Sequence, residues 1–277
     1  MKKLVKIFLV SVFTCFSFYY TDQIVNYFKM RDPLMKKIND ISDEEEVFVV
    51  NGTLSNKTML VGSSGFVVDL DASYEKMKSL DIFNENLLEY ISIKPTITKK
   101  DNLDKLIVGK NTNFKEISLV FVIDNIDLFQ QVMYILKERE VTATIFMDGA
   151  LIESNLDLIN KLLDEVNSNL GFYGYNNNYD DISIIYMKNF FDNTFYTKYC
   201  LYVNNRFLSS CIRNKISTIN PIFVSRNLYS FIKNNKSNGY IYGIKINKVN
   251  IKELNTMLIY LKQKGYNILN IEELLKE

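Results

Sequence analysis

The apolar run "ISLVFVI" (residues 117–123) carries one polar residue, Ser118, which marks a strand buried on both faces, and Phe129, Val132, Met133 and Leu136 then recur at helical spacing. "VTATIFM" (141–147) opens a second unit of this kind, whose helix gathers Ile159, Leu162, Leu163 and Val166 on one side. "NGYIYGIKI" (238–246) starts a third. There Asn250 is placed to cap a helix bearing Ile251, Leu254, Leu258 and Leu261, and Gly265 is placed to end it. "YNIL" and "IEELLKE" close the chain as a last strand and helix. Repeated βα units with short connections imply an α/β protein built on a parallel sheet, either closed as a barrel or doubly wound.

What precedes these units differs in kind. "MKKLVKIFLVSVFTCFSFYYTDQ" sets Lys2, Lys3 and Lys6 ahead of an apolar stretch that ends at Tyr20, the layout of a secretory signal or a signal anchor. Phe16, Phe18, Tyr19 and Tyr20 are too bulky for a small-x-small cleavage site, so residues 1–22 read as an uncleaved transmembrane anchor. The expected location is the cell membrane, single-pass, with the lysine end cytoplasmic and the large domain outside. Residues 23–46 are charged, end in "DEEE", and read as a juxtamembrane linker. Residues 47–110 read as a small α+β region. It opens with a hairpin from Val47 to about Val61 turning at Asn51 and Gly52, and continues with a helix capped by Asp71 that turns Tyr74, Met77 and Leu80 to one side. Pro95 and "KKDNLDK" separate it from residues 111–277.

Composition limits the chemistry. With 33 Lys+Arg against 32 Asp+Glu, the net charge of +1 generates no field to gather nucleic acid, and none is expected as a partner. No histidine is present among the 277 residues, which removes the commonest metal ligand and the commonest general acid–base. Cys200 and Cys211 are close enough in sequence to be bridged if the fold brings them together, but the favoured reading is two free, inert thiols.

Within 111–277, the series "ISLVFVIDN", "LKEREVTATIFMDGALIESNLDLINKLLDEVNSNLGFYGYNNNY", "NGYIYGIKI" and "LKQKGYNILNIEELL" resembles the polysaccharide deacetylase family, the NodB-homology domain. The resemblance implies a distorted (β/α) barrel and, in members of the family, metal-dependent removal of acetyl groups from chitin, peptidoglycan or related glycans. The family's functional residues do not carry over. Its two aspartates, a base and a metal ligand, align with Val122 and Ile123, and its paired histidine ligands with Tyr173 and Asn177. "CIRNK" aligns with the third motif through Arg213 but lacks the prolines, and the general-acid histidine corresponds to Lys245. No metal or other cofactor is expected.

A rebuilt site has candidates of its own. Asp124, Asp127 and Asp148 follow strands at the carboxyl-end mouth and could hold Mg²⁺ or Ca²⁺, although Asp124 and Asn125 also suit the cap of the next helix and Asp148 the turn before Gly149. Tyr173 and Tyr175 read either as aromatics closing the mouth or as platforms for sugar rings, with Asn177 bonding hydroxyls. The candidate ligand groove is thus Asp124, Asn125, Asp148, Tyr173, Tyr175, Asn177, Arg213 and Lys245. The favoured reading is a catalytically silent, membrane-anchored protein that binds or scaffolds cell-envelope glycan. An atypical deacetylase with a rebuilt site and a pure protein-interaction module are the alternatives, the latter with an unknown partner.

Overall fold

The computed structural model describes residues 2–190, 196–224 and 227–277 and divides the chain into two compact units. The smaller comprises residues 1–48 and 65–93, the larger residues 49–64 and 94–277. This corrects the expected boundaries, because the segment 47–110 is shared between the units and residues 23–46 are folded helix where a linker is expected.

The smaller unit begins with α1 (Lys2–Arg31), which exposes Phe13, Phe16, Phe18, Tyr19 and Tyr20; the side chains of Lys2, Lys3 and Lys6 lie outside the described residues. Among the described residues no helix is long and apolar enough to cross a membrane. Asp32 stops α1 and starts α2 (Pro33–Glu45). Its carboxylate accepts the Leu34 N–H at 2.9 Å, and Pro33 occupies the first turn, where no N–H is needed. The same carboxylate accepts Tyr74 Oη at 2.9 Å and Lys78 Nζ at 2.8 Å, and the lysine above all, with these donors, holds its pKa down at about 2.

The chain next makes the hairpin β1 (Thr53–Leu54) and β2 (Thr58–Val61) of the larger unit, turning at residues 55–57 instead of at Asn51 and Gly52. It returns to the smaller unit as β3 (Gly65–Val68), α3 (Leu70–Ser79) and β4 (Tyr90–Ile93). The cap of α3 is Asp69, which accepts the Ala72 N–H, and not Asp71; Tyr74 and Met77 are buried as expected, while Leu80 is exposed.

The remainder belongs to the larger unit: β5 (Leu106–Lys110), β6 (Glu116–Val122), α4 (Ile126–Arg139), β7 (Thr144–Met147), α5 (Gly149–Glu153), α6 (Leu156–Val166), β8 (Asn169–Phe172), α7 (Asp181–Phe190), β9 (Tyr199–Leu201), α8 (Asn205–Arg213), β10 (Ser217–Ile219), β11 (Ile222–Val224), α9 (Leu228–Asn235), β12 (Ile241–Lys245), α10 (Ile251–Gln263), β13 (Asn267–Leu269) and α11 (Ile271–Leu274). One sheet runs β1-β2-β5-β10-β9. The other runs β11-β12-β6-β7-β8, with β13 also on β6, and every pairing except β1–β2 is parallel. Bridges Leu170–Tyr196 and Gly109–Tyr240 tie the two sheets together, giving a distorted barrel of parallel strands.

Strand alternation sorts the core into two shells. On β6 and just past it, Ile117, Leu119, Phe121 and Ile123 pack outward with Phe129, Leu136 and Leu258 of the surrounding helices. Val120 and Val122 face the interior, where Phe146, Ile241, Met59 and Ile107 of both sheets meet and α11 inserts Ile271 and Leu274. Two local details differ from expectation. Asn250 makes no side-chain cap on α10; its amide braces the loop after β12 by donating to Lys245 O at 2.8 Å and accepting Asn247 N–H at 2.9 Å. Cys200 on β9 and Cys211 on α8 form a disulfide, so they are not free thiols.

Candidate functional site

The mouth of the barrel lies at the carboxyl ends of β6, β7, β8 and β12. Alternation along each strand sets the inward series: Val120, Val122, Asp124; Phe146, Asp148; Gly171, Tyr173; Ile241, Gly243, Lys245. Val122 and Ile123, which the resemblance matches to the two aspartates, therefore part company. Val122 is half-buried beside Tyr173 in the interior cluster, whereas Ile123 is fully buried on the helix side, where no ligand reaches. The next inward position is Asp124, and its carboxylate lies 3.6 Å from Lys245 Nζ in an exposed pair.

Asp148 is spent on structure. Its side chain accepts the Ala150 N–H at 3.0 Å, capping α5, and reaches across to the Asn176 and Asn177 N–H groups at 3.1 and 3.2 Å. Those asparagines are the centre of a tight turn in which Tyr175 and Asn178 exchange backbone hydrogen bonds, and both are left-handed, with φ of 49° and 59°. Asparagine tolerates that conformation better than most residues, and such turns select it. Asn177 accordingly stands in the second histidine's place as a turn former with an exposed side chain. Gly174 serves the same loop: at φ +146° with Asn178 O and the Tyr179 ring pressed close, it has no room for a Cβ.

Tyr173 takes the first histidine's place. Its half-buried ring joins Val122 and Phe146 over the barrel interior. Burial, with the nearby negative charges of Asp148 and Asp124, pushes its phenol up to about 12, so at neutral pH it stays a neutral hydroxyl, able to donate and to accept a hydrogen bond but not to serve as a phenolate ligand. Tyr175 turns aside. Its hydroxyl donates to Glu153 Oε2 at 2.6 Å while Tyr186 donates to Oε1 at 3.0 Å, with the two rings edge to face at 5.1 Å. The Glu153 bond above all raises the Tyr175 phenol to about 12.

The expected groove is corrected at three positions, the first of them Tyr175, which is held by Glu153. Asn125 is the cap of α4, accepting the Leu128 N–H at 3.1 Å, and Arg213 grips Asp181 at 2.7 Å and Ser210 at 3.0 Å, fastening α8 to α7. Asp124, Asp148, Tyr173, Asn177 and Lys245 do converge on the mouth. Glu153 and Tyr186 are additions that sequence reasoning missed, since neither stands in a recognisable motif; strand alternation beyond Val122 was the available signal for Asp124.

Comparison with known proteins places this geometry. No family model matches the chain. An uncharacterized protein of Bacillus subtilis, YlxY, is 26% identical over 148 residues, 53% of this chain and 46% of that protein, so the chain spans about half the length of the curated relative it matches. Among solved structures, wild-type BA3943, described as a CE4 family pseudoenzyme from Bacillus anthracis, aligns over 89% of this chain and 96% of its own at 21% identity, with a TM-score of 0.64. The chain has the CE4 polysaccharide deacetylase fold. A BA3943 mutant described as having restored enzymatic activity aligns at a TM-score of 0.65 with 20% identity, covering 89% of this chain and 99% of that one. The peptidoglycan N-acetylglucosamine deacetylase Bc1960 aligns at 0.52 with 15% identity over 60% of this chain and 90% of its own.

A divalent metal of the kind the CE4 fold implies does not fit the donor set at this mouth. Both oxygens of Asp148 accept backbone N–H groups, an ammonium stands beside Asp124, and the Tyr173 phenol keeps its proton. Among the described residues no three His, Cys, Asp or Glu side chains converge on one point. What the mouth offers is a tyrosine face and hydroxyl over an apolar floor, an exposed amide, and one exposed ion pair.

Proposed function

We propose that this chain is a catalytically silent CE4-fold protein, attached to the membrane and facing outward, that binds or scaffolds a cell-envelope glycan through the barrel mouth. One observation carries the reading: Tyr173, which matches a metal-ligand position, roofs the interior, while the neighbouring Asp148 is tied to backbone N–H groups. Deacetylation needs an activated water and a stabilised oxyanion, and among the described residues the carboxylates of the mouth are engaged, Asp148 by backbone N–H groups and Asp124 by Lys245, which supports the silent reading. Sugar rings pack their C–H faces on tyrosine, and amide and carboxylate groups bond their hydroxyls.

Membrane attachment rests on the lysine-led apolar N-terminus and on the aromatic side chains that α1 exposes. The outward orientation draws support from the Cys200–Cys211 disulfide, since such bonds persist in oxidising compartments. The test is titration of the full chain with N-acetylglucosamine oligomers, read by tyrosine fluorescence. Weak saturable binding, on the order of micromolar to millimolar, is expected, and Tyr173→Ala should weaken it several-fold with little change in melting temperature. Metal-dependent acetate release from the same oligomers would establish the atypical deacetylase instead.

A further inference from the structure

A second concavity lies at the opposite end of the barrel, where β9 and β10 begin. It encloses about 860 Å³, and Lys94, Lys99, Lys100, Lys198, Lys215 and Lys276 line it, with Tyr199 and Pro95 as its apolar wall. Three carboxylates share the lining, Asp101, Glu272 and Glu277, leaving an excess of three positive charges in a chain whose net charge is only +1. Those acids have other donors. Glu272 accepts Thr197 Oγ1 at 2.9 Å and the Lys198 N–H at 2.6 Å; Glu277 accepts the Lys99 N–H at 2.6 Å; Asp101 accepts Thr98 Oγ1 at 2.6 Å. Among the described residues none of the six lysine ammonium groups forms an ion pair within 4 Å, although six other lysines do, Lys29, Lys76, Lys78, Lys105, Lys137 and Lys245.

Lys99 is the most telling of the six. It is half-buried, its Nζ donates to Leu275 O at 2.6 Å and lies 5.5 Å from the Tyr199 ring centre, and burial lowers its pKa. Glu277 and Glu272 offset that burial only in part and neither reaches ion-pair distance, so a bound anion would relieve the remaining desolvation of the ammonium. The other five lysines are exposed around the open rim, and Lys99 alone is set into the wall. The lining contains no arginine, so it supplies compact point charges, the way lysine holds phosphate, without the planar fork that pairs bidentately with carboxylate or phosphate.

We infer that this cavity is a binding site for a phosphate-bearing anion, which Lys99 holds from the wall and Lys198 and Lys215 from the rim. Its volume suits a ligand of several phosphate groups or a sugar phosphate. The inference does not depend on the glycan reading of the mouth.

The test is calorimetric titration of the full chain, in non-ionic detergent, with inorganic phosphate, tripolyphosphate, citrate and a short oligomer of glycerol phosphate. Saturable binding of tripolyphosphate is expected to be tighter than that of inorganic phosphate and to fall with added salt. Lys198→Gln and Lys215→Gln, both at exposed positions, should each weaken it about tenfold while the circular dichroism and melting temperature stay unchanged. Tighter binding of the glycerol phosphate oligomer would identify the source as a phosphodiester chain, and tighter binding of tripolyphosphate a compact phosphate; both support the site. Absence of saturable tripolyphosphate binding, citrate binding as tightly, or two lysine variants that bind like the parent would each overturn it.

Discussion

Replacing Asp148 by alanine separates a structural carboxylate from a working one. Three backbone N–H groups lose their acceptor: Ala150 in the first turn of α5, and Asn176 and Asn177 in the left-handed turn. Loss of a helix cap costs about 1 kcal/mol. Hydrogen bonds to a charged acceptor are worth about 1.5–3 kcal/mol each, and with Asn176 and Asn177 exposed to water, about 1 kcal/mol apiece is the appropriate discount. The sum is about 3 kcal/mol, and in a unit of this size it lowers the melting temperature by about 6–12 °C. Urea unfolding followed by circular dichroism measures the change, with Asp148→Asn expected to recover part of it because one oxygen remains. If Asp148→Ala costs less than about 0.5 kcal/mol, the carboxylate is not held by the loop. It would then be free to serve a ligand or a cation, and the argument for a silent mouth would fail.

Two further outcomes follow from bonds and charges already described. Converting Cys200 and Cys211 together to alanine should destabilise the larger unit by about 2–4 kcal/mol in unfolding experiments, and a reductant should do the same to the parent but not to the variant. Because the Tyr173 phenol is raised in the fold to about 12, the folded state keeps its proton while an unfolded tyrosine loses it near pH 10; stability should therefore fall as pH rises from about 10 through 12. Tyr173→Phe should make that part of the pH–stability curve less steep, the Tyr175 phenol being raised as well, and an unchanged slope would refute the assignment.

The long elements were legible because their patterns are long. Seven consecutive positions define β6, and thirteen or more carry α4 and α10, so burial on both faces and helical spacing show themselves in composition alone. The segment 47–110 was not. Its strands have two to five residues, too few to establish a period, and two belong to one unit while the next two belong to the other. The Cys200–Cys211 bond depends on β9 lying against α8, a proximity that no spacing encodes. At the mouth, residue types were readable but their directions were not. An assignment one residue early on β6 exchanges a core isoleucine for an exposed aspartate, because side chains on a strand alternate with period two.

That register also sets what it would take to make a metal centre here. Tyr173→His with Asn177→His supplies two imidazoles on the turn, and histidine accepts the left-handed conformation at position 177 better than most residues. Asp124 is the inward carboxylate left to join them, since Asp148 must go on holding the turn that positions them. The obstacle is Lys245, whose ammonium stands 3.6 Å from Asp124. At about 5 Å from a dication in a water-like dielectric, that charge opposes binding by on the order of 1.5 kcal/mol, about tenfold in affinity. The parent chain should therefore show no saturable zinc binding in a competition assay with a chromogenic chelator. The two-histidine variant should bind weakly, and adding Lys245→Ala should tighten it about tenfold while Asp124→Asn abolishes the gain. Stoichiometric zinc on the parent would mean that its donors are freer than their hydrogen bonds imply, whereas a gain from Lys245→Ala that survives Asp124→Asn would place the metal somewhere other than the mouth.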